Sequence, residues 1–434
     1  MSAMARSATV VGAGMVGLSV AWHLQEQGFD VVVLDRGGVG EGSSFANAGW
    51  LSPALALPLN DPALVRSGLV GLLSPHAPLY VPPRLDRELA RFLAVFLGHC
   101  TSESFEELAA RLHLLNRGVL ESWDELAGAA GLEIGRAPIV AGFAQEADLE
   151  GLVSELRIAR DHGAAIEWRV REAEELQACS PLLGPRVRVA VEILEQRFID
   201  SHRVALALAD AVRARGGEIL AGKEVTQVVS GPKGVRVLTR LGEDMLRCDV
   251  AVLALGAWTN RFARTLGIEV PLRAGRGYSM LCATTVPPEV PLYFPTARLA
   301  CTPIEGKLRV AGTMEFRRPD EPLDHGRIAA MQGAAEGLLT SVELARPERV
   351  WVGPRPVSAD GLPLIGQSRL PGVYVACGHG MWGVTQGPIT GKLLARQIAT
   401  GQVPPELVPF DPLRSAHLAQ TPMIAKWLKV GRKP

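Results

Sequence analysis

The chain has 434 residues, 47% of them hydrophobic, enough for two to three domains or one large interleaved unit with an ordinary core. Its 45 Lys and Arg balance 45 Asp and Glu, which argues against a general nucleic-acid binder. The six cysteines at 100, 179, 248, 282, 301 and 377 form no C-x-x-C pair, so no zinc site or disulfide framework is indicated and a reducing compartment is expected.

The first residues lack the apolar region of a signal peptide, and no run approaches the roughly 18 apolar residues of a membrane span. The expectation is a cytoplasmic protein. The first predicted unit runs from Ala8 to Asp35. Thr9, Val10 and Val11 read as a buried strand that enters Gly12-Ala13-Gly14-Met15-Val16-Gly17. A helix follows to Gln27, Gly28 ends it, and Val31 to Leu34 forms a second strand closing on Asp35. This is a β-α-β unit with G-x-G-x-x-G at its first turn. Gly12 makes the tight turn, Gly14 lets the backbone approach a pyrophosphate, and Gly17 lets helix and strand pack closely. The helix N-terminus offers N–H groups and a partial positive charge to that pyrophosphate. Asp35 lies 18 residues past Gly17, where a carboxylate accepts hydrogen bonds from ribose hydroxyls. Together these features predict nucleotide binding.

The segment after Asp35 is rich in Gly, Ser, Ala and Asn, and suits a loop pressed against a flat ligand, with Ser43, Ser44 and Asn47 offering hydrogen bonds. Ser104 to Ala130 carries Leu108, Leu112, Leu115, Val119, Trp123 and Leu126 at helical spacing, which predicts one long helix with Trp123 in the core. Strand-like alternation at Gly135 to Ala144 precedes a helix over Ala147 to His162. A further helix is capped by Asp200 or Ser201 and ends at Gly216-Gly217. The strands Glu218–Leu220, Val225–Ser230 and Val235–Arg240 follow. A buried strand after Asp249 returns the chain to the first sheet and turns at Gly256 to Trp258. Short strands from Arg276 to Thr313 suggest an antiparallel sheet, the wall of a substrate pocket. A helix is predicted over Ile328 to Leu344. The strand Gly372 to Ala376 leads into a glycine-rich turn and a helix beginning near Thr385. The nine histidines show no metal spacing, so no metal is expected.

These pieces, across nearly the whole chain, resemble the flavoprotein family of D-amino-acid oxidase, glycine oxidase, sarcosine oxidase and bacterial D-amino-acid dehydrogenase. SSFANAG-x-x-SP at Ser43–Pro53, HAPLYVPP at His76–Pro83 and RGYSM at Arg276–Met280 are most similar to the D-amino-acid dehydrogenase branch. GPRPVSADGLPLIG at Gly353–Gly366 and GHGMWGVTQGP at Gly378–Pro388 are similar to motifs of the whole family. Asp35 replaces the commoner Glu, Val384 stands where the branch often has Trp, and the tail after Pro412 is unfamiliar.

The resemblance implies an α/β (α+β) fold, in which a Rossmann-type FAD-binding domain of discontinuous segments is interleaved with a substrate domain centred on an antiparallel sheet. The expected division gives residues 1–60, 190–265 and 350–412 to FAD, 61–189 and 266–349 to substrate, and 413–434 to a tail. It also implies that Gly12, Gly14, Met15 and Gly17 meet the pyrophosphate, with Asp35 and Arg36 at the ribose and Val225 near the adenine. Ser43, Ser44, Asn47 and Gly49 would lie along the flavin, and Gly256 and Trp258 at the second chain crossing. Gly380, Met381, Gly383, Val384 and Thr385 would close over the isoalloxazine. Nothing clearly resembles the family's covalent attachment, so FAD is expected to be non-covalent, with Cys301 and Cys377 left as the alternative attachment points.

The implied reaction is hydride transfer from Cα of a D-amino acid, or of a related secondary amine acid, to flavin N5. The product imino acid hydrolyses to the keto acid, with ammonia when the amine is primary. Arg355 stands at the family's carboxylate-binding position, where a bidentate guanidinium outperforms Lys. Tyr278 is expected to add a pocket hydrogen bond or to be core. His379, between two glycines, serves loop geometry rather than base catalysis. A glycine or sarcosine-type oxidase and a D-hydroxyproline or D-proline dehydrogenase remain alternatives, and a flavin-dependent hydroxylase is a more distant one. The electron acceptor is a quinone, another carrier or oxygen. A quinone would require peripheral contact with the inner face of the plasma membrane. The tail Thr421 to Pro434 has a suitable apolar and basic composition, but also suits a helix packed on its own domain.

Overall fold

The computed structural model describes residues 6–62, 74, 77, 79–83, 85–240 and 245–415. The tail from Thr421, and His76 in the second branch motif, lie outside the described residues. The opening β-α-β unit consists of the strand Arg6–Val11, the helix Met15–Glu26 and the strand Phe29–Leu34. Both strands are Val-rich because the sheet is covered on both faces. Six strands lie in the order Glu218–Leu220, Phe29–Leu34, Arg6–Val11, Val250–Leu253, Val373–Cys377 and Leu364–Gln367. The first five run parallel and the last antiparallel. The strand after Asp249 thus enters the first sheet, beside Arg6–Val11.

The helices Met15–Glu26 and Gly383–Thr400 pack on each other, with Ser201–Ala214 beside the first. A side chain at Gly391 would put Cβ 2.6 Å from the Ser19 backbone, so glycine sets how closely the two helices approach. Asp200 caps Ser201–Ala214 by accepting the His202 N–H at 3.2 Å.

The second sheet is mixed. It orders Arg349–Ser358, Leu272–Cys282, Lys307–Phe316, Leu299–Ile304, Leu292–Phe294, Ile139–Phe143, Val189–Ile193 and Trp168–Arg171, with Leu79–Tyr80 joining Lys307–Phe316. Most pairs are antiparallel; Leu292–Phe294 with Ile139–Phe143 and Leu79–Tyr80 with Lys307–Phe316 are parallel. A separate three-stranded antiparallel sheet follows Leu220, made of Val225–Gly231, Gly234–Thr239 and Met245–Cys248.

Several expected boundaries move. The predicted long helix breaks at Arg117-Gly118 into Ser102–Asn116 and Val119–Ala130. Gly118 faces Ile389 so closely that a Cβ would lie 3.0 Å from its Cδ1. Trp123 is fully buried, and its indole donates to the Thr385 carbonyl at 2.9 Å. This helix pair shares one core with the first sheet, through Leu108, Leu112, Leu115, Val119, Trp123 and Leu126, although the sequence reading gave it to the substrate domain. Conversely, Val189–Ile193 and Arg349–Ser358 pair in the second sheet, not in the nucleotide sheet as the expected segments from 190 and 350 implied. The helix expected to reach Leu344 is His325–Ala335, because Gly337 takes a positive φ of 72° and the chain turns into isolated bridges.

Candidate active site

A cavity of about 290 Å³ opens where the two sheets meet. Its nucleotide end is the turn between Arg6–Val11 and Met15–Glu26. Gly12 has φ of 116°, and a Cβ there would run into the Ala254 carbonyl; one at Gly17 would run into the Gly12 carbonyl. Gly14, by contrast, meets only Ser44 Oγ, at 3.3 Å, so its side-chain space belongs to the cavity. The first-turn N–H groups have no helical acceptor. One of them, from Met15, donates to Ser44 Oγ at 3.0 Å.

Asp35 closes this end. Its two oxygens accept the Ala13 and Gly37 N–H groups, each at 2.8 Å. Burial raises the Asp35 pKa, and those two hydrogen bonds oppose the rise. Outside it, the Arg36 guanidinium stacks on the Trp258 ring with its carbon 3.8 Å from the centroid. Asp320, from the loop after Lys307–Phe316, ties both: Arg36 donates to it at 2.9 Å and the Trp258 indole at 3.1 Å. Val225 lines the same end.

Ser43, Ser44, Asn47 and Gly256 line the middle of the cavity, and Met381, Gly380, Gly383 and Val384 line it from the last glycine-rich turn. Ser43 Oγ donates to the Pro354 carbonyl. The Asn47 amide is spent inside its own loop, donating to Ser43 O at 2.9 Å and accepting the Gly49 N–H at 2.7 Å. Arg355 lines the far end. Its Nη1 donates to the Thr313 carbonyl at 2.8 Å, and no carboxylate among the described residues pairs with it. Burial alone pushes its pKa down to about 10, so it is charged at neutral pH.

Three expected site residues lie elsewhere. Tyr278 is on the opposite face of its strand, 1% exposed, with its hydroxyl donating to Glu315 Oε1 at 2.6 Å. Gly49 packs against the Ile199 carbonyl at φ of 69°, shaping the loop from behind. Thr385 is buried and donates to the Trp50 carbonyl at 2.8 Å, fastening the start of the last helix. The sequence reading missed Glu41, Lys223, Glu224, Arg261 and Phe262 as lining residues. Only Arg261 and Phe262 had a signal, following the turn at Gly256.

His379 lines the cavity but is 3% exposed, with Nε2 3.0 Å from Thr390 Oγ1. Burial pushes its pKa down to about 3, far too low for a general base at neutral pH. Cys377 also lines the cavity, and burial pushes its thiol up to about 12; Cys301 is shifted upward too, inside the second sheet. Neither is a thiolate available for covalent attachment. The open space at Gly14, the first turn of Met15–Glu26 and the lining that runs from Asp35 to Arg355 fit the FAD that the resemblance implies.

The family described as "DAO: FAD dependent oxidoreductase" matches residues 7–397. D-amino acid dehydrogenase 2 of Pseudomonas aeruginosa is 30% identical over 415 residues, covering 93% of this chain and 97% of that protein. D-amino acid dehydrogenase of Vibrio vulnificus is 29% identical over 404 residues, covering 91% and 96%. Among solved structures, glycine oxidase from Geobacillus kaustophilus superposes with a TM-score of 0.71 at 22% identity, covering 94% of this chain and 99% of that one.

Proposed function

The chain belongs to the DAO family of FAD-dependent oxidoreductases, and on that premise we propose that it oxidises a D-amino acid, or a related cyclic or secondary amino acid, to the imino acid. The names of the relatives support the D-amino acid and an acceptor other than oxygen. The observation that carries the reading is Arg355. A guanidinium that faces a cavity with only a neutral carbonyl as partner among the described residues is a receptor for an anion.

Gly12, Gly14 and the first turn of Met15–Glu26 would hold the pyrophosphate of FAD, with Asp35 at the ribose. When bound, non-covalently, FAD supplies the acceptor for the substrate hydride. Arg355 grips the substrate carboxylate and thereby fixes the position of Cα in the cavity. Arg355 donates only; the amino group arrives neutral, loss of hydride from Cα leaves an iminium cation, and that cation releases one proton to solvent to become the imino acid, because His379 is too weak a base to take it. The imino acid then hydrolyses outside the protein's control.

The test is anaerobic mixing of the FAD-loaded protein with a panel of D- and L-amino acids. D-amino acids should bleach the flavin. Bleaching by L-amino acids alone, or by NADPH alone, would overturn the reading. We further propose that the electrons leave to a membrane quinone through peripheral contact.

A further inference from the structure

The strand Lys307–Phe316, whose Thr313 carbonyl accepts from Arg355, contains a backbone outlier at that residue. We propose that Gly277 and the bulge at Thr313 form a seat that aims the Arg355 guanidinium, making both positioning residues for carboxylate recognition; this rests on the reading of Arg355 above. Three neighbouring strands build the seat: Lys307–Phe316, Leu272–Cys282 and Arg349–Ser358. The register of the last two is unbroken, with Gly275 opposite Arg355 and Gly277 opposite Gly353. On the other side Arg276 faces Glu315 and Tyr278 faces Gly312, so Thr313 and Met314 together oppose Gly277. That is a β-bulge, a device that re-aims groups beside functional sites.

Thr313 takes φ of 53°. A β-branched residue there is a genuine outlier, held only by over-determining surroundings. Its hydroxyl is buried without a hydrogen-bond partner among the described residues, so the side chain does not explain the conformation. What accompanies the twist is the carbonyl, which accepts from Arg355 Nη1 at 2.8 Å. Gly277 supplies the space. The guanidinium occupies the volume in which a Cβ at Gly277 would stand, so that Cβ would run into Cζ and both Nη atoms. With one nitrogen tied to Thr313 and the plane laid over Gly277, the planar fork loses its rotational freedom. Its other donors remain for a carboxylate.

The experiment measures propionate binding to the FAD-loaded protein by perturbation of the flavin absorption band, with flavin content and melting temperature as controls. Gly277→Ala should weaken propionate at least tenfold while flavin content holds, because the new methyl meets the end of a flexible side chain rather than backbone. Arg355→Gln should also weaken it, and Gly277→Ala should add nothing in that background, the signature of two residues acting through one interaction. Thr313→Gly, which accepts the same φ, should keep binding within twofold. Thr313→Pro, which fixes φ near −65°, should lose it as Gly277→Ala does. If Gly277→Ala binds like the wild type while Arg355→Gln does not, the seat is wrong and the carboxylate reading stands. Equal losses from Gly277→Ala in both backgrounds also overturn the seat, as does a tenfold loss in Thr313→Gly. If Arg355→Gln itself binds propionate normally, the carboxylate reading falls and the seat with it.

Discussion

Arg355 carries a charge that no acid in the described part of the chain answers. Lys keeps the charge but not the fork, so Arg355→Lys should lower kcat/KM for the substrate roughly a hundredfold, about 3 kcal/mol, at unchanged FAD content. Wild-type kinetics in that variant would remove Arg355 from the site. His379 gives a second residue-scale outcome. Folding keeps it neutral down to about pH 3, whereas the unfolded chain protonates it below about pH 6.5. Its stabilising contribution is therefore complete above pH 6.5 and is lost as the pH falls toward 3. One proton gives at most about 1.4 kcal/mol per pH unit, hence about 2 kcal/mol between pH 6.5 and 5. The variant His379→Asn should lose less stability than the wild type between pH 7.5 and 5 in urea titrations; identical losses would show that another group carries the effect. That Arg355 lines the cavity was legible in the sequence because its motif is long and ordered. Tyr278 stayed open between pocket and core because face parity along Leu272–Cys282 is invisible without the partner strands, and that parity points its hydroxyl at Glu315.

At the scale of elements, the β-α-β unit was legible because its glycines, its apolar strands and Asp35 all require one another. The loop that holds Asp320 was not. Arg318 to Asp324 has no strand or helix period, and its partners Arg36, Trp258 and Arg261 lie far away in the chain. That loop joins the second sheet to the mouth of the cavity, where Arg36 and Trp258 stack. For FAD to leave past that stack, the Asp320 contacts would have to open. The ion pair is half exposed, with 39% of Arg36 and 50% of Asp320 accessible, so its worth is that of a surface pair. The variant Asp320→Asn should speed FAD release roughly two- to fivefold, followed by the rise in flavin fluorescence on dilution. High salt should bring the wild-type rate toward that of the variant, since the contacts are screened. A variant that releases FAD at the wild-type rate in low salt would leave the loop without a role in retention.

At the scale of the whole molecule, the interleaving of two sheets was legible only in outline. A strand such as Arg349–Ser358 reads as apolar whichever sheet it joins, and its membership is decided by pairing with Leu272–Cys282. No described helix is long and apolar enough to cross a membrane; the proposed quinone acceptor is one met at the membrane surface. The residues past the described chain suit such a meeting. Met423, Ile424, Trp427, Leu428 and Val430 are apolar, while Lys426, Lys429, Arg432 and Lys433 are basic. Each basic residue near an anionic surface adds about 1 kcal/mol, and that attraction falls off within a Debye length. The full chain should therefore co-sediment with vesicles rich in anionic lipid at low salt and leave them at high salt. Deletion of Pro422 to Pro434 should lower reduction of a quinone embedded in those vesicles while sparing reduction of a soluble dye by the same substrate. The dye separates loss of membrane contact from loss of the active site, because only the quinone depends on the surface. A truncated protein that reduces the embedded quinone as fast as the full chain would exclude the tail from electron delivery.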